Sequence, residues 1–193
     1  MAARLVFVSH APIDETRSAA FPRPTSRITS ELGPVVLRSV ARLRGPELRC
    51  AQTADGLGWR ATVEPELADL DLGLWAGADP LAVMAEDPAS INNFFTFTTV
   101  RPPNGETVSE LIARVGRLCD RQWPDGRTLL ITSPMVVRAA AVHLLALPDS
   151  AFFSLDVEPL SALSCSAFGS SWKLRGLMPF AAWSALWDRT DAP

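Results

Sequence analysis

Two uninterrupted apolar runs constrain the fold of this 193-residue chain more than any other feature. Residues 4–9 read Arg-Leu-Val-Phe-Val-Ser, and residues 128–133 read Thr-Leu-Leu-Ile-Thr-Ser. A strand with one exposed face alternates apolar and polar residues, whereas a strand covered on both faces is apolar throughout. Both runs are therefore predicted to be central strands of a sheet that carries helices on its two faces.

Further segments complete an alternation of strands and helices. We expect strands over residues 160–168 and 172–177, and a weak strand over residues 39–43. Helices are expected over residues 48–57, 79–84, 109–121 and 136–147. The third helix begins with Thr107-Val-Ser-Glu110, in which Thr107 and Glu110 have the spacing of a capping box. Such an alternation is typical of an α/β protein with a mostly parallel sheet.

Two connecting segments are predicted to be irregular. Prolines interrupt the chain between residues 11 and 33, and residues 90–103 carry turn signals. The second segment contains Phe94, Phe95 and Phe97. These rings form either a small buried cluster or a lid over an apolar substrate.

Composition narrows the class of protein. The length suits one domain spanning residues 1–193, and a net charge of −3 argues against an electrostatic nucleic-acid binder. Cys50, Cys119 and Cys165 are odd in number and lack metal-ligand spacing, so we expect reduced, buried thiols. We find neither a secretory leader pattern nor an apolar run that could span a bilayer. A soluble cytoplasmic protein without membrane partners is expected.

His10 is the first candidate for chemistry. It ends the first predicted strand, and in open α/β sheets ligands bind outside the carboxyl ends of strands. A histidine there can act as a nucleophile or a general base, or can merely bond its neighbours. The chain's other histidine, His143, lies inside an apolar helix and is interpreted as a core or surface residue.

Four further fragments accompany His10. Residues 45–54 read Gly-Pro-Glu-Leu-Arg-Cys-Ala-Gln-Thr-Ala, residues 67–77 read Leu-Ala-Asp-Leu-Asp-Leu-Gly-Leu-Trp-Ala-Gly, residues 103–107 read Pro-Asn-Gly-Glu-Thr, and residues 130–138 read Leu-Ile-Thr-Ser-Pro-Met-Val-Val-Arg. In this order and spacing they resemble the histidine phosphatase superfamily, also called phosphoglycerate-mutase-like proteins. The resemblance implies a three-layer α/β/α sandwich with a mostly parallel central sheet, and activity without a cofactor or metal.

The resemblance also implies roles for individual residues. His10 matches the histidine that becomes phosphorylated, Arg49 the arginine that clamps phosphate, and Asp69 the acid that protonates the leaving oxygen. It places Glu106 at the substrate. Such a set is chemically reasonable, because guanidinium groups offset charge on the transferring oxygens and a carboxylic acid supplies the proton. Each residue also has a structural interpretation: Arg49 could pair with Glu47 or another carboxylate, and Asp69 could be a turn residue.

Two positions depart from the family pattern. Ser9 stands where the family has an arginine, and Ser133 stands where it has a second histidine. Loss of one charge-stabilising donor typically costs on the order of a hundredfold or more in rate. Arg17, in the segment after His10, could partly replace the missing arginine. Ser9 and Ser133 remain candidate substrate contacts, although a serine offers a hydrogen bond and no charge.

Three hypotheses remain open. The first is a divergent phosphatase that hydrolyses a small phosphomonoester through phosphorylated His10. The second is a repurposed enzyme in which His10 and Asp69 perform acid–base chemistry, such as dehydration, isomerisation or cyclisation, on a non-phosphorylated metabolite. The third is a non-catalytic binding protein. The expected partner is a small molecule, and a homodimer whose second copy covers the pocket rim is left open.

Overall fold

The computed structural model describes residues 2–38, 41–169 and 171–186. Its strands are β1 (Ala3–Ser9), β2 (Ala41–Arg44), β3 (Thr62–Val63), β4 (Gly126–Thr132), β5 (Ser161–Phe168) and β6 (Ser171–Pro179). Its helices are α1 (Asp14–Ser18), α2 (Leu48–Gly56), α3 (Pro80–Glu86), α4 (Pro88–Phe94), α5 (Val108–Cys119), α6 (Pro134–Leu144) and α7 (Phe180–Ala185). Short 3₁₀ turns occupy Pro65–Leu67, Gly73–Trp75 and Asp149–Ser154.

The strands form one six-stranded sheet in the order β3-β2-β4-β1-β5-β6. The strands β3, β2, β4 and β1 run parallel to one another. Strand β5 is antiparallel to β1, and β6 is antiparallel to β5. The two apolar runs are the adjacent central strands β1 and β4, with Phe7 opposite Leu130. The predicted α/β fold with a mostly parallel central sheet is confirmed.

Each face of the sheet supports its own hydrophobic cluster. Leu5 and Phe7 pack in one cluster, which includes residues of α5 and α6. Val6 and Val8 pack in the other, which includes residues of α2 and α7. Successive side chains of a strand point to opposite faces, so both faces of β1 require apolar residues. This two-sided covering explains why the runs lack polar alternation.

Several predicted boundaries need correction. The segment predicted to be a loop over residues 90–103 begins inside α4, which starts at Pro88 because the Asp87 carboxylate caps the backbone N–H of Ser90. The irregular segment after His10 contains the five-residue helix α1. The elements β3 and α7 are not predicted by the sequence pattern, since two and six residues are too few to show a period.

Other local predictions can be compared directly. The expected capping box is present, with Thr107 and Glu110 each bonding the other's backbone N–H. The weak strand predicted over residues 39–43 corresponds to β2, and its residues 39 and 40 lie outside the described residues.

The described helices include none that is long and apolar enough to cross a bilayer. All three cysteines are buried free thiols, as expected.

The phenylalanines after α3 comprise one buried ring and two surface rings. Phe94 is buried and packs edge-on against Trp75, with ring centroids 5.3 Å apart. Phe21 stacks on Trp75 at 5.8 Å, so the segment after α1 joins this cluster. Phe95 and Phe97 are more than half exposed. The buried-cluster interpretation holds for Phe94, whereas Phe95 and Phe97 lie at the surface.

Candidate active site

The backbone of His10 is fixed where three strands meet. Its N–H donates to the Thr132 carbonyl at 2.8 Å, and its carbonyl accepts from the Leu160 N–H at 3.2 Å. These contacts tie the end of β1 to the end of β4 and the start of β5. The side chain is only 3% exposed, so the imidazole is held inside the protein.

The hydrogen bonding of His10 selects one tautomer. Its Nδ1 lies 2.8 Å from the carbonyl oxygen of Ala11. A carbonyl oxygen can only accept, so Nδ1 carries the proton, and in the neutral ring Nε2 keeps its lone pair. Burial and the positive charge of Arg49 lower the pKa of His10 to about 4, against the opposing effects of the Ala11 carbonyl, Asp69 and Glu15. At neutral pH the ring is uncharged, with a free electron pair on Nε2.

Arg49 is a buried cation in the first turn of α2, with 1% of its surface exposed. Its Nη2 forms an ion pair with Oδ2 of Asp69, and its Nη1 donates to the Arg23 carbonyl at 2.7 Å. Its Nε is buried and has no acceptor among the described residues. Two of three guanidinium nitrogens are therefore committed, and one donor is unsatisfied.

Thr53 links the position of Arg49 to that of His10. Its hydroxyl donates to the Arg49 carbonyl one helical turn earlier at 2.7 Å. The same oxygen accepts from the Ala11 N–H at 3.0 Å. The first turns of α2 and the residue after His10 thus share a single buried hydroxyl, which fixes the histidine and the arginine relative to each other.

Asp69 completes this group from the segment after the 3₁₀ turn Pro65–Leu67. Its carboxylate accepts from Arg49 and from the Ser133 hydroxyl, and Oδ1 also accepts from the Leu70 N–H at 2.8 Å. The side chain remains 11% exposed. The structure therefore brings together Asp69, Arg49, His10 and Ser133, which the sequence predicts to share one site.

The Ser133 hydroxyl makes two hydrogen bonds. It donates to Asp69 and accepts from the Val136 N–H at 3.2 Å, which makes Ser133 the N-cap of α6. Ser133 is thus the point at which α6, the end of β4 and Asp69 meet.

The other predicted substrate contacts have different neighbours. Ser9 points toward β5: its hydroxyl donates to the Glu158 carbonyl at 2.7 Å and accepts from the Ser161 N–H at 2.8 Å. Glu106 accepts two bonds from Arg114, at 3.0 and 2.8 Å. Arg17 is exposed on α1. In this structure Ser9 and Glu106 hold the scaffold around the site.

Sequence reasoning missed Glu47, Arg114 and Thr53. Of the two expected partners of Arg49, Glu47 or another carboxylate, the structure shows the second, since the ion pair is with Asp69. The carboxylate of Glu47 instead accepts from the Asp69 N–H at 2.8 Å. Arg114 donates to the backbone carbonyls of Glu66, Ala68 and Asp69. Thr53 lies one turn from Arg49 in the same sequence fragment, a spacing that could have indicated it.

His143 lies well away from this group. Its Nε2 is 2.8 Å from Oδ1 of Asp120, and the pair is partly exposed. This agrees with its interpretation as a surface histidine. The described residues contain no cluster of three or more histidine, cysteine, aspartate or glutamate side chains that could hold a metal ion.

A cavity of about 260 Å³ lies at the opposite edge of the sheet, where β1 and β4 begin. Its lining includes Arg4, Arg127, Arg175, Met178 and Trp183. The residues that line it include none of the predicted site residues.

Comparison with protein families identifies the superfamily of the chain. Residues 34–178 match the model of the histidine phosphatase superfamily, branch 1. The match covers most of the chain, which therefore belongs to this superfamily. His10 precedes the matched residues, so its assignment depends on the geometry described above.

Solved structures show the same fold. A protein described as mycobacterial hydrolase 1 is 22% identical with a TM-score of 0.76, covering 91% of this chain and 98% of its own. The mycobacterial glucosyl-3-phosphoglycerate phosphatase is 19% identical with a TM-score of 0.73, covering 91% and 98%. The alpha-ribazole phosphatase from Shigella flexneri is 17% identical with a TM-score of 0.78, covering 92% and 96%. Among curated proteins, none matches the sequence.

Proposed function

We propose that this protein is a phosphatase that hydrolyses a small phosphomonoester through a phosphorylated His10. The observation that carries the proposal is the state of His10: a neutral imidazole whose Nδ1 is bound to the Ala11 carbonyl, beside the Arg49–Asp69 pair. Two structures with the same fold are named as phosphatases of small phosphate esters, which supports this class of substrate.

In the first step, the Nε2 lone pair of His10 attacks phosphorus and the bond to the ester oxygen breaks. The substrate binds as its monoanion and passes its acidic proton to the Asp69 carboxylate, and the resulting Asp69 carboxyl gives that proton to the leaving oxygen. The products are an alcohol, phosphorylated His10 and an Asp69 carboxylate. In the second step, Asp69 takes a proton from water, whose oxygen attacks phosphorus. The electron pair of the breaking P–N bond returns to Nε2, releasing phosphate.

Arg49 supplies the fixed positive charge for both steps. An incoming phosphate would compete with Asp69 for Nη2 of Arg49, and would also satisfy the unpartnered Nε. Transfer of Nη2 from Asp69 to phosphate would leave Asp69 free to carry the proton. We retain Arg17 as a candidate contact at the rim, because α1 begins four residues after His10.

One observation favours the alternative of acid–base chemistry on a non-phosphorylated molecule. Among the described residues the site has a single buried arginine, and Ser9 faces β5, so the positive charge that they offer a phosphate is small. The lowered pKa of His10 supports the phosphatase proposal over this alternative. An effective general base has a pKa near the working pH, whereas a nucleophile needs only to be neutral.

The test is hydrolysis of p-nitrophenyl phosphate together with acid-free mass measurement of the quenched enzyme. We expect turnover and an adduct of one phosphoryl group on His10. His10→Asn should lower kcat/KM at least about a thousandfold and remove the adduct. His143→Asn is the matched control and should retain activity and adduct. Absence of turnover by the folded wild-type protein, or full activity of His10→Asn, would refute the proposal.

A further inference from the structure

We infer that Glu47 is a positioning residue that aims the carboxyl group of Asp69 by accepting the Asp69 backbone N–H. The inference rests on the proposed function, in which Asp69 is the acid. It assigns a role to a buried carboxylate that the two chemical steps do not use.

Glu47 occupies an unusual position for a carboxylate. It is the N-cap residue of α2, where an acidic side chain commonly caps the helix, yet its side chain makes no such bond. Oε1 accepts from the Asp69 N–H at 2.8 Å, and Oε2 accepts from the thiol of Cys50 at 3.7 Å. Glu47 is only 7% exposed, and its carboxylate makes these two buried contacts and no capping bond.

The surroundings of Glu47 are shaped to hold its carboxyl group. A Cβ atom on Gly45 would lie 2.6 Å from Oε2 of Glu47 and 2.8 Å from the Leu67 carbonyl. Only glycine leaves room there for the carboxyl to lie against the segment that leads to Asp69. Burial raises the pKa of Glu47, and the nearby charge of Asp69 acts in the same direction. Either protonation state can accept the Asp69 N–H at Oε1.

The contact controls the orientation of Asp69 because each end of that residue has a separate anchor. Glu47 holds the N–H, Arg114 reaches the carbonyl at 3.3 Å, and Arg49 with Ser133 holds the carboxylate. In the proposed reaction, substrate displaces Arg49 from the carboxylate. The backbone anchors then determine where the acidic proton points, and misplacement by about 1 Å can cost a hundredfold in rate.

The experiment compares two esters that differ in their need for an acid. A dinitrophenyl phosphate leaves without a proton, whereas a simple alkyl phosphate requires one. Asp69 also acts in the later hydrolysis of phosphorylated His10, which both esters share, so the comparison uses kcat/KM, which reports only the steps through phosphorylation of His10. Glu47→Leu should lower kcat/KM for the alkyl ester about ten- to a hundredfold, with a much smaller loss for the aryl ester. Asp69→Asn should show the same selectivity more strongly. Glu47→Gln keeps the acceptor oxygen and should restore kcat/KM for the alkyl ester to within about threefold of wild type.

Cys50→Ala is the matched control, because it removes the other partner of Glu47 without touching Asp69. It should leave the ratio of the two rates unchanged. Should Glu47→Leu fail to fold, Glu47→Asp replaces it, since the shorter side chain cannot span the distance to Asp69. An equal loss on both esters, or no loss on the alkyl ester, would overturn the inference in favour of a purely structural role.

A wild-type protein that hydrolyses neither ester would defeat the proposed function, and the Glu47 contact would then be judged by NMR. The Asp69 amide proton should be shifted downfield and protected from exchange in wild type and Glu47→Gln. Both properties should be lost in Glu47→Leu. If Glu47→Leu retains them, the positioning role is refuted independently of activity.

Discussion

The parallel and antiparallel halves of the sheet differ in the residues that come after each strand, while burial separates the central strands β1, β4 and β5 from the edge strands β3 and β6. In the parallel half, β1 and β4 are buried almost throughout, and their carboxyl ends lead to His10 and Ser133. In the antiparallel half, β6 is largely exposed. Parallel strands gather all their carboxyl ends at one edge, whereas antiparallel neighbours place successive ends at opposite edges. The polar group around His10 therefore assembles only in the parallel half.

The largest difference should appear in stability, between the central strand β4 and the edge strand β6. Leu130 lies in β4 with no exposed surface, and Leu174 lies in β6 with 48% exposed. Leu130→Ala should lower the free energy of unfolding by about 2–5 kcal/mol, because it leaves a cavity between the two layers. Leu174→Ala should change it by less than about 0.5 kcal/mol. Urea unfolding followed by circular dichroism measures both, and equal effects would remove the distinction in burial.

The buried state of His10 should make stability depend on pH. Its folded pKa of about 4 lies below the ordinary value of 6.5. Between these two pH values His10 is mostly protonated in the unfolded chain and mostly neutral in the folded chain. The free energy of unfolding therefore falls as pH decreases through this window. The contribution is about 3 kcal/mol at most, fully lost below pH 4. Urea unfolding at several pH values should show a steeper fall of the free energy of unfolding with decreasing pH in wild type than in His10→Gln. The same pH dependence in both proteins would contradict a buried neutral histidine.

Two helices, α6 at the site and α5 outside it, begin with an N-cap hydroxyl, so the same substitution can be compared at both. Ser133 caps α6 at the carboxyl edge, and Thr107 caps α5 outside the site. Ser133→Ala and Thr107→Ala should each cost about 1 kcal/mol of stability. Only Ser133→Ala should also lower kcat, since only Ser133 bonds Asp69. Thermal unfolding and assays of both variants provide the test, and equal activity would separate Ser133 from the chemistry.

The smallest effect is expected at Arg17. Exposed charge contacts contribute about 0.2–1 kcal/mol, so Arg17→Ala should raise KM by a few-fold and leave the free energy of unfolding unchanged. Added salt should reduce the difference from wild type. Arg27→Ala, a change at another arginine in the same irregular segment, serves as the control. A KM unchanged in Arg17→Ala would exclude Arg17 from the substrate contacts.

Much of the scaffold could be predicted from local sequence. The apolar runs of β1 and β4 require cover on both faces, and the capping box of α5 marks its own start. These signals are local because they depend on residues close together in the chain. The short elements β3 and α7 lack such signals, and contacts with the rest of the fold stabilise them instead.

The order of residues along the chain also indicates which of them share the site, because His10, Arg49, Asp69 and Ser133 each follow or begin an element at the carboxyl edge. The role of each residue there depends on the tertiary structure. The Ser9 hydroxyl bonds β5, and Glu106 forms an ion pair with Arg114. Arg49 forms an ion pair with Asp69, and Glu47 accepts a hydrogen bond from the Asp69 N–H. Arg49 and Asp69 lie 20 residues apart in the chain, and Ser9 and Ser161 lie 152 apart. Side-chain direction and burial set such contacts, and neither is encoded in residue type or spacing alone.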